Sequence, residues 1–169
     1  EFPIFLFIEY SPGGSVISGQ QILEAIENSK APIYVVVKGY ACSMAAIIVT
    51  LAERSFALKN SVILHHQPSS YVGWYNVRRA REITKDIEDL HKRFLGRVAK
   101  KMGITLEKMD QIFYEKQMDG DWMEYADDAK KIKWIGEVIN DIQEIGIQKL
   151  PEQKDYTLKN FIEEYYKTV

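Results

Sequence analysis

Two short apolar runs, PIFLFIEY at residues 3–10 and APIYVVVKG at residues 31–39, constrain this chain more than any other feature. Both are dense in aromatic and branched residues and too short for helices, the pattern of strands buried on both faces. Between them the break SPGGS is followed by Ile22, Leu23 and Ile26 at helical spacing over residues 16–28, with Ser15 placed to cap the helix. Strand, helix and strand in such close succession predict a right-handed crossover joining parallel strands. The chain is therefore expected to be α/β.

The remaining elements follow from the same reading. MAAIIVTLA reads as a short buried helix, and RSFAL and SVILHH as further strands. From Val77 to Met102, Ile83, Ile87, Leu90, Phe94 and Val98 recur at three- and four-residue steps between charges, which predicts one long amphipathic helix ended by Gly103. Thr105 is placed to cap the next helix, ADDAKKI is a short one, and KWIGEVIND is expected to be an edge strand. Beyond Gly146 the sequence turns polar, breaks at Pro151 and ends in TLKNFIEEYYKTV, a terminal helix by its pattern. The expected organisation is one domain over residues 1–145 and a polar extension over 146–169.

Composition narrows the function. The 169 residues are 46% hydrophobic, enough for one core, and the net charge of −2 mixes both signs along the chain. That lacks the basic footprint of a nucleic-acid binder, so a peptide-like or neutral substrate is expected. Cys42 is the only cysteine. An internal disulfide and a zinc site built on cysteine pairs are thereby excluded, and a reducing, cytoplasmic setting is expected. The apolar stretches fall short of the roughly 18 residues that span a bilayer, and no secretory signal pattern is visible. Because the chain opens at Glu1 and runs directly into a strand, a preceding stretch is expected to have been cut away.

The chemistry centres on GYACSMAAIIV, residues 39–49. A nucleophilic serine needs exposure at a strand-to-helix turn, a base within reach, a group to orient that base, and amide donors for the oxyanion. Ser43 meets the first need, and the amide of Met44 would point at the oxyanion from the positive end of the helix. From the local sequence alone, Ser43 either caps its helix or attacks a carbonyl. SPGGS likewise is either a tight turn or a second source of amides. His65 and His66 are adjacent at a strand end, so their side chains point to opposite faces and only one can face Ser43. His91 lies among charged residues of the long helix, where a solvated role is expected.

In that order, SPGGS after a strand, ACSMAA at a helix start, NSVILHHQP and DWMEYADDA resemble the Clp protease proteolytic subunit, a self-compartmentalising serine peptidase. The resemblance runs from about residue 4 to about residue 140. It implies the ClpP/crotonase-like fold of repeated β-β-α units, with the helix from Val77 to Met102 as a projecting handle. It implies Ser43 as nucleophile, His66 as general base, Asp121 as the acid that orients it, and the amides of Gly14 and Met44 as the oxyanion hole. It implies hydrolysis of unfolded proteins or peptides without metal or cofactor, a heptameric ring that can stack on a second ring, and an AAA+ ATPase unfoldase as partner.

The sequence departs from the family pattern at several points. Asp119 stands just before Gly120 and could replace Asp121 as the acid. His65 occupies a usually apolar position, and the stretch from His66 to Arg81 is shorter and poorer in glycine than the family's substrate-gripping strand. The family's amino-terminal part, which forms the axial pore and helps the ATPase dock, has no counterpart within these 169 residues. Three rivals stand beside the peptidase: a crotonase-like acyl-CoA enzyme, which would not need this serine, histidine and aspartate; a ring subunit that has lost cleavage; and a membrane-anchored relative with a serine–lysine dyad.

Overall fold

The computed structural model describes residues 2–70, 73–116 and 120–143. Its centre is the strand β2 (Ile33–Cys42), whose run of Val35, Val36 and Val37 is buried as expected. Strand β1 (Ile4–Ser11) lies parallel along one edge of β2, joined to it by helix α1 (Val16–Glu27). Ser15 caps α1 by accepting from the Ser18 amide at 3.4 Å.

The opposite edge of β2 is shared by two strands. Its first half pairs with β3 (Arg54–Leu58) and its second half with β4 (Val62–His66), both parallel to it. Strand β6 (Glu137–Ile139) extends the sheet beyond β3 as the expected edge strand, and β5 (Asp121–Tyr125) runs antiparallel to β4. The sheet thus forks from one spine. A bulge sits at that fork, where register slips between Ile8 and Tyr10 and Lys38 and Gly39 together oppose Glu9. Gly39 is required there, because a Cβ on it would come within 2.5 Å of the Glu9 carbonyl oxygen.

Helix α2 (Met44–Leu51) is buried along most of its length and fills the centre of the core. The long helix α3 (Val77–Met102) divides into two parts. Its last turns bury Phe94, Leu95, Val98 and Ala99 against the core, while no residue from Val77 to Arg93 is fully buried. Lys101 near its end donates to the carbonyls of Thr50 and Ala52, placing a cation at the carbonyl end of α2. Gly103, at φ 84°, ends α3 in the left-handed conformation. Thr105 then starts α4 (Leu106–Lys116) by accepting from the Lys108 amide at 3.2 Å, and α5 (Ala126–Lys131) follows β5.

Two sequence expectations need correction. β1 is not buried on both faces: Leu6 and Ile8 turn toward the core, whereas Phe5 and Phe7 are about half exposed and Tyr10 more so. Among the described residues, only one side of that strand is covered. The segment DWMEY, read only as part of a motif, forms the strand β5. The terminal helix expected after Pro151, and the extension over residues 146–169, lie outside the described residues.

Candidate active site

Parallel strands deliver their carboxyl ends to one side of a sheet, where ligands of α/β folds bind. Here β1 ends just before Gly13 and Gly14, β2 at Ser43 and β4 at His66. β5 runs the other way, so its first residue, Asp121, comes to the same place and lies opposite His66 in the ladder.

Ser43 sits on a strained turn, with φ 57° and ψ −125° for a residue that is not glycine. Two hydrogen bonds hold the turn: its amide donates to the Leu64 carbonyl at 2.9 Å, and its carbonyl accepts from the Ile47 amide at 3.0 Å. The side chain makes no capping bond to α2. Its hydroxyl is therefore not used to hold the helix, unlike that of Ser15.

Gly13 packs directly on this turn. A Cβ at Gly13 would stand 2.5 Å from the Ser43 Cβ and 2.8 Å from the Cys42 carbonyl oxygen, and its φ of 94° favours glycine in any case. The sequence reading singled out Gly14 of the pair. Gly14, at φ 148°, has open space above it. The two glycines do different work, one allowing close approach and the other leaving its backbone accessible.

A cavity of about 140 Å³ is lined by Gly14, Ser43, Met44 and His66. Its walls are otherwise largely apolar, with Val16, Ile47, Leu90, Phe94 and Leu95. Four of the five residues implied by the family resemblance thus share one cavity. Asp121 stands behind His66 on the same rung and does not line it. Among the described residues, no side-chain hydrogen bond joins Ser43 to His66 or His66 to Asp121. Such contacts commonly tighten only when substrate is bound. Asp119, the alternative acid, lies outside the described residues.

The two adjacent histidines are separated by the pleat. His65 is fully buried, with Nε2 2.9 Å from Thr50 Oγ1 and its ring edge-on to Trp134 at 4.5 Å, while Nδ1 has no partner among the described residues. Burial, with a smaller contribution from His66, lowers its pKa to about 3, so it stays neutral at ordinary pH. Cys42, next to Ser43, is also kept uncharged: burial raises its thiol, and the Asp121 charge adds to the effect. Its hydrogen bond to Tyr40, followed by burial, pushes that phenol up to about 12. A neutral thiol is a weak nucleophile, so burial leaves Cys42 poorly suited to attack.

His91 is not the solvated residue that the sequence suggested. Its side chain is 14% exposed, its Nε2 lies 2.8 Å from Asp110 Oδ1, and it lines the cavity that holds Ser43. The charges around it on α3 concealed this, because its partner comes from α4.

Comparison with known proteins decides the family. A family model described as Clp protease matches residues 1–141. The chain belongs to the Clp protease family. It is 33% identical over 143 residues to the ATP-dependent Clp protease proteolytic subunit 3 of Synechococcus sp. (strain CC9605), covering 82% of this chain and 67% of that protein. It is 32% identical over 142 residues to proteolytic subunit 2 of Prochlorococcus marinus (strain MIT 9313), covering 81% and 66%. The chain therefore spans about two thirds of the length of these Clp relatives. A ClpP1 point mutant from Listeria monocytogenes, solved as a structure, matches with a TM-score of 0.66 at 27% identity, over 82% of this chain and 74% of that one. The fold is accordingly the ClpP fold that the sequence motifs implied.

Proposed function

We propose that this Clp family member is a serine endopeptidase that hydrolyses peptide bonds of unfolded proteins or peptides. One observation carries the reading: Ser43, on a strained turn with its hydroxyl free of the helix, shares a cavity with His66, which lies opposite Asp121 in the β4–β5 ladder. Ser43 attacks the scissile carbonyl as His66 takes the hydroxyl proton. Asp121 holds the imidazole in the required tautomer, and the Gly14 and Met44 amides receive the oxyanion. His66 then gives the proton to the leaving amine, and the acyl-enzyme is released by water, which His66 activates in turn.

The assembly proposed with this chemistry is a heptameric ring, stacked on a second ring, that encloses the site in the cytoplasm and is loaded by an AAA+ ATPase unfoldase. Support comes from apolar surface that the described residues leave uncovered. Phe5 stacks on Phe7 at 6.2 Å and on Tyr34 at 5.2 Å, and Tyr34 stacks on Phe56 at 5.9 Å across three strands. Phe5 and Phe7 are exposed and Tyr34 and Phe56 half-buried, an aromatic patch of the kind that marks a contact with another protein. The projecting half of α3 offers a second contact, between rings.

Hydrolysis of a fluorogenic peptide and of an unstructured protein tests the reading. Activity abolished by Ser43→Ala and by His66→Ala, in correctly assembled protein, supports it. An assembled but inactive wild type favours the ring subunit that has lost cleavage.

A further inference from the structure

Beside the His66–Asp121 rung stands a second carboxylate, Asp110. Gln67, the residue after His66, donates through Nε2 to Asp110 Oδ1 on α4 at 3.2 Å. The same oxygen is 2.8 Å from Nε2 of His91 on α3. The other end of the Gln67 amide faces Gly120, the residue before Asp121: a Cβ there would lie 3.9 Å from Gln67 Oε1. One oxygen thus links the end of β4 and the wall of the Ser43 cavity, and Gln67 extends the link to the start of β5. The anchor itself is firm, because α3 and α4 are set in the core by buried Leu95, Val98, Met109 and Phe113.

We propose that Asp110 is a positioning residue for the reaction, setting the His66–Asp121 rung against the α3 wall of the cavity through Gln67 and His91. The inference rests on the peptidase reading above. Asp110 does not line the cavity that contains Ser43, so it acts through its two partners rather than on substrate. Its contact with His91 is shielded, with the two side chains 14% and 35% exposed, so it is less weakened by water than an open surface pair. A misplacement of the base by about 1 Å is enough to cost on the order of 100-fold in rate.

The test is steady-state hydrolysis of a fluorogenic peptide by the full chain and by Asp110→Ala, Asp110→Asn and Gln67→Leu. Asp110→Ala and Gln67→Leu are expected to lower kcat about 10- to 100-fold while KM changes less than about threefold. Asp110→Asn keeps an acceptor at Oδ1 and is expected to recover most of the rate. A kcat equal to wild type in Gln67→Leu, or a rise in KM with kcat unchanged, overturns the proposal. Should Asp110→Ala fail to fold, Gln67→Leu still decides, since the Gln67 side chain is exposed and outside the core. A wild type that neither turns over peptide nor acylates at Ser43 defeats the peptidase reading and this inference with it. An active wild type with an unaffected Gln67→Leu defeats this inference alone.

Discussion

His66 and Asp121 occupy one rung of the antiparallel β4–β5 ladder, so the proposed base and its orienting acid are paired by backbone register. Side chains on one rung share a face of the sheet and stand close enough to interact. In such a site each member depends on the others. Ser43→Ala, His66→Ala and Asp121→Asn are each expected to lower peptide turnover by about 10⁴ or more, without changing the fold. Asp119→Asn should leave turnover near wild type; the opposite ranking of the two aspartates would move the acid to Asp119.

The turn that carries Ser43 depends on a glycine the sequence reading passed over. Gly13→Ala forces a Cβ to within 2.5 Å of the Ser43 Cβ at a backbone conformation that alanine resists. A loss of about 1–3 kcal/mol in stability is expected, together with loss of hydrolysis. Urea unfolding beside a peptide assay checks both. Full activity in Gly13→Ala would show that the contact between the glycine turn and Ser43 is dispensable.

His65 makes a prediction about pH. Its folded pKa, near 3, lies well below the unfolded value of 6.5, so the unfolded chain binds the extra proton first as pH falls. The stability of the neutral buried form is complete above pH 6.5 and is lost on acidification toward pH 3, at up to about 1.4 kcal/mol per pH unit. His65→Leu removes the titrating imidazole and should flatten that slope. The measurement is the urea midpoint at a series of pH values between 7 and 5, for both proteins. Parallel curves would assign the acid sensitivity to other groups.

The exposed aromatic face is expected to drive assembly. Phe7→Ser, at a side chain about half exposed in the single chain, should shift sedimentation toward smaller species while leaving the unfolding midpoint of the chain almost unchanged. An unchanged oligomer distribution and unchanged ATPase association would place the contacts elsewhere.

Most of the framework was legible because periodicity and punctuation agreed. The long helix from Val77 to Met102 announced itself by apolar steps and a terminal glycine, and the β1–α1–β2 unit by two apolar runs around a helical one. The exposure of β1 was not legible, because an uninterrupted apolar run reads the same whether its second face is covered by the chain's own core or left open. β5 was hidden by its length and by its start directly after Gly120. Strand alternation could say that only one of two adjacent histidines faces Ser43, but not which. The Thr50 and Trp134 contacts that hold His65 inside come from elements far along the chain. The Asp110 pairing that draws His91 from solvent has the same character.

Whether Ser43 is an activated nucleophile is read from covalent labelling with a fluorophosphonate probe, followed by intact mass and peptide mapping on wild type, Ser43→Ala and His66→Ala. Stoichiometric modification at Ser43 that disappears in both variants is the expected result, since only a serine activated by its base reacts in this way. A folded, assembled wild type that takes up no label at Ser43 would mean that Ser43 is not an activated nucleophile.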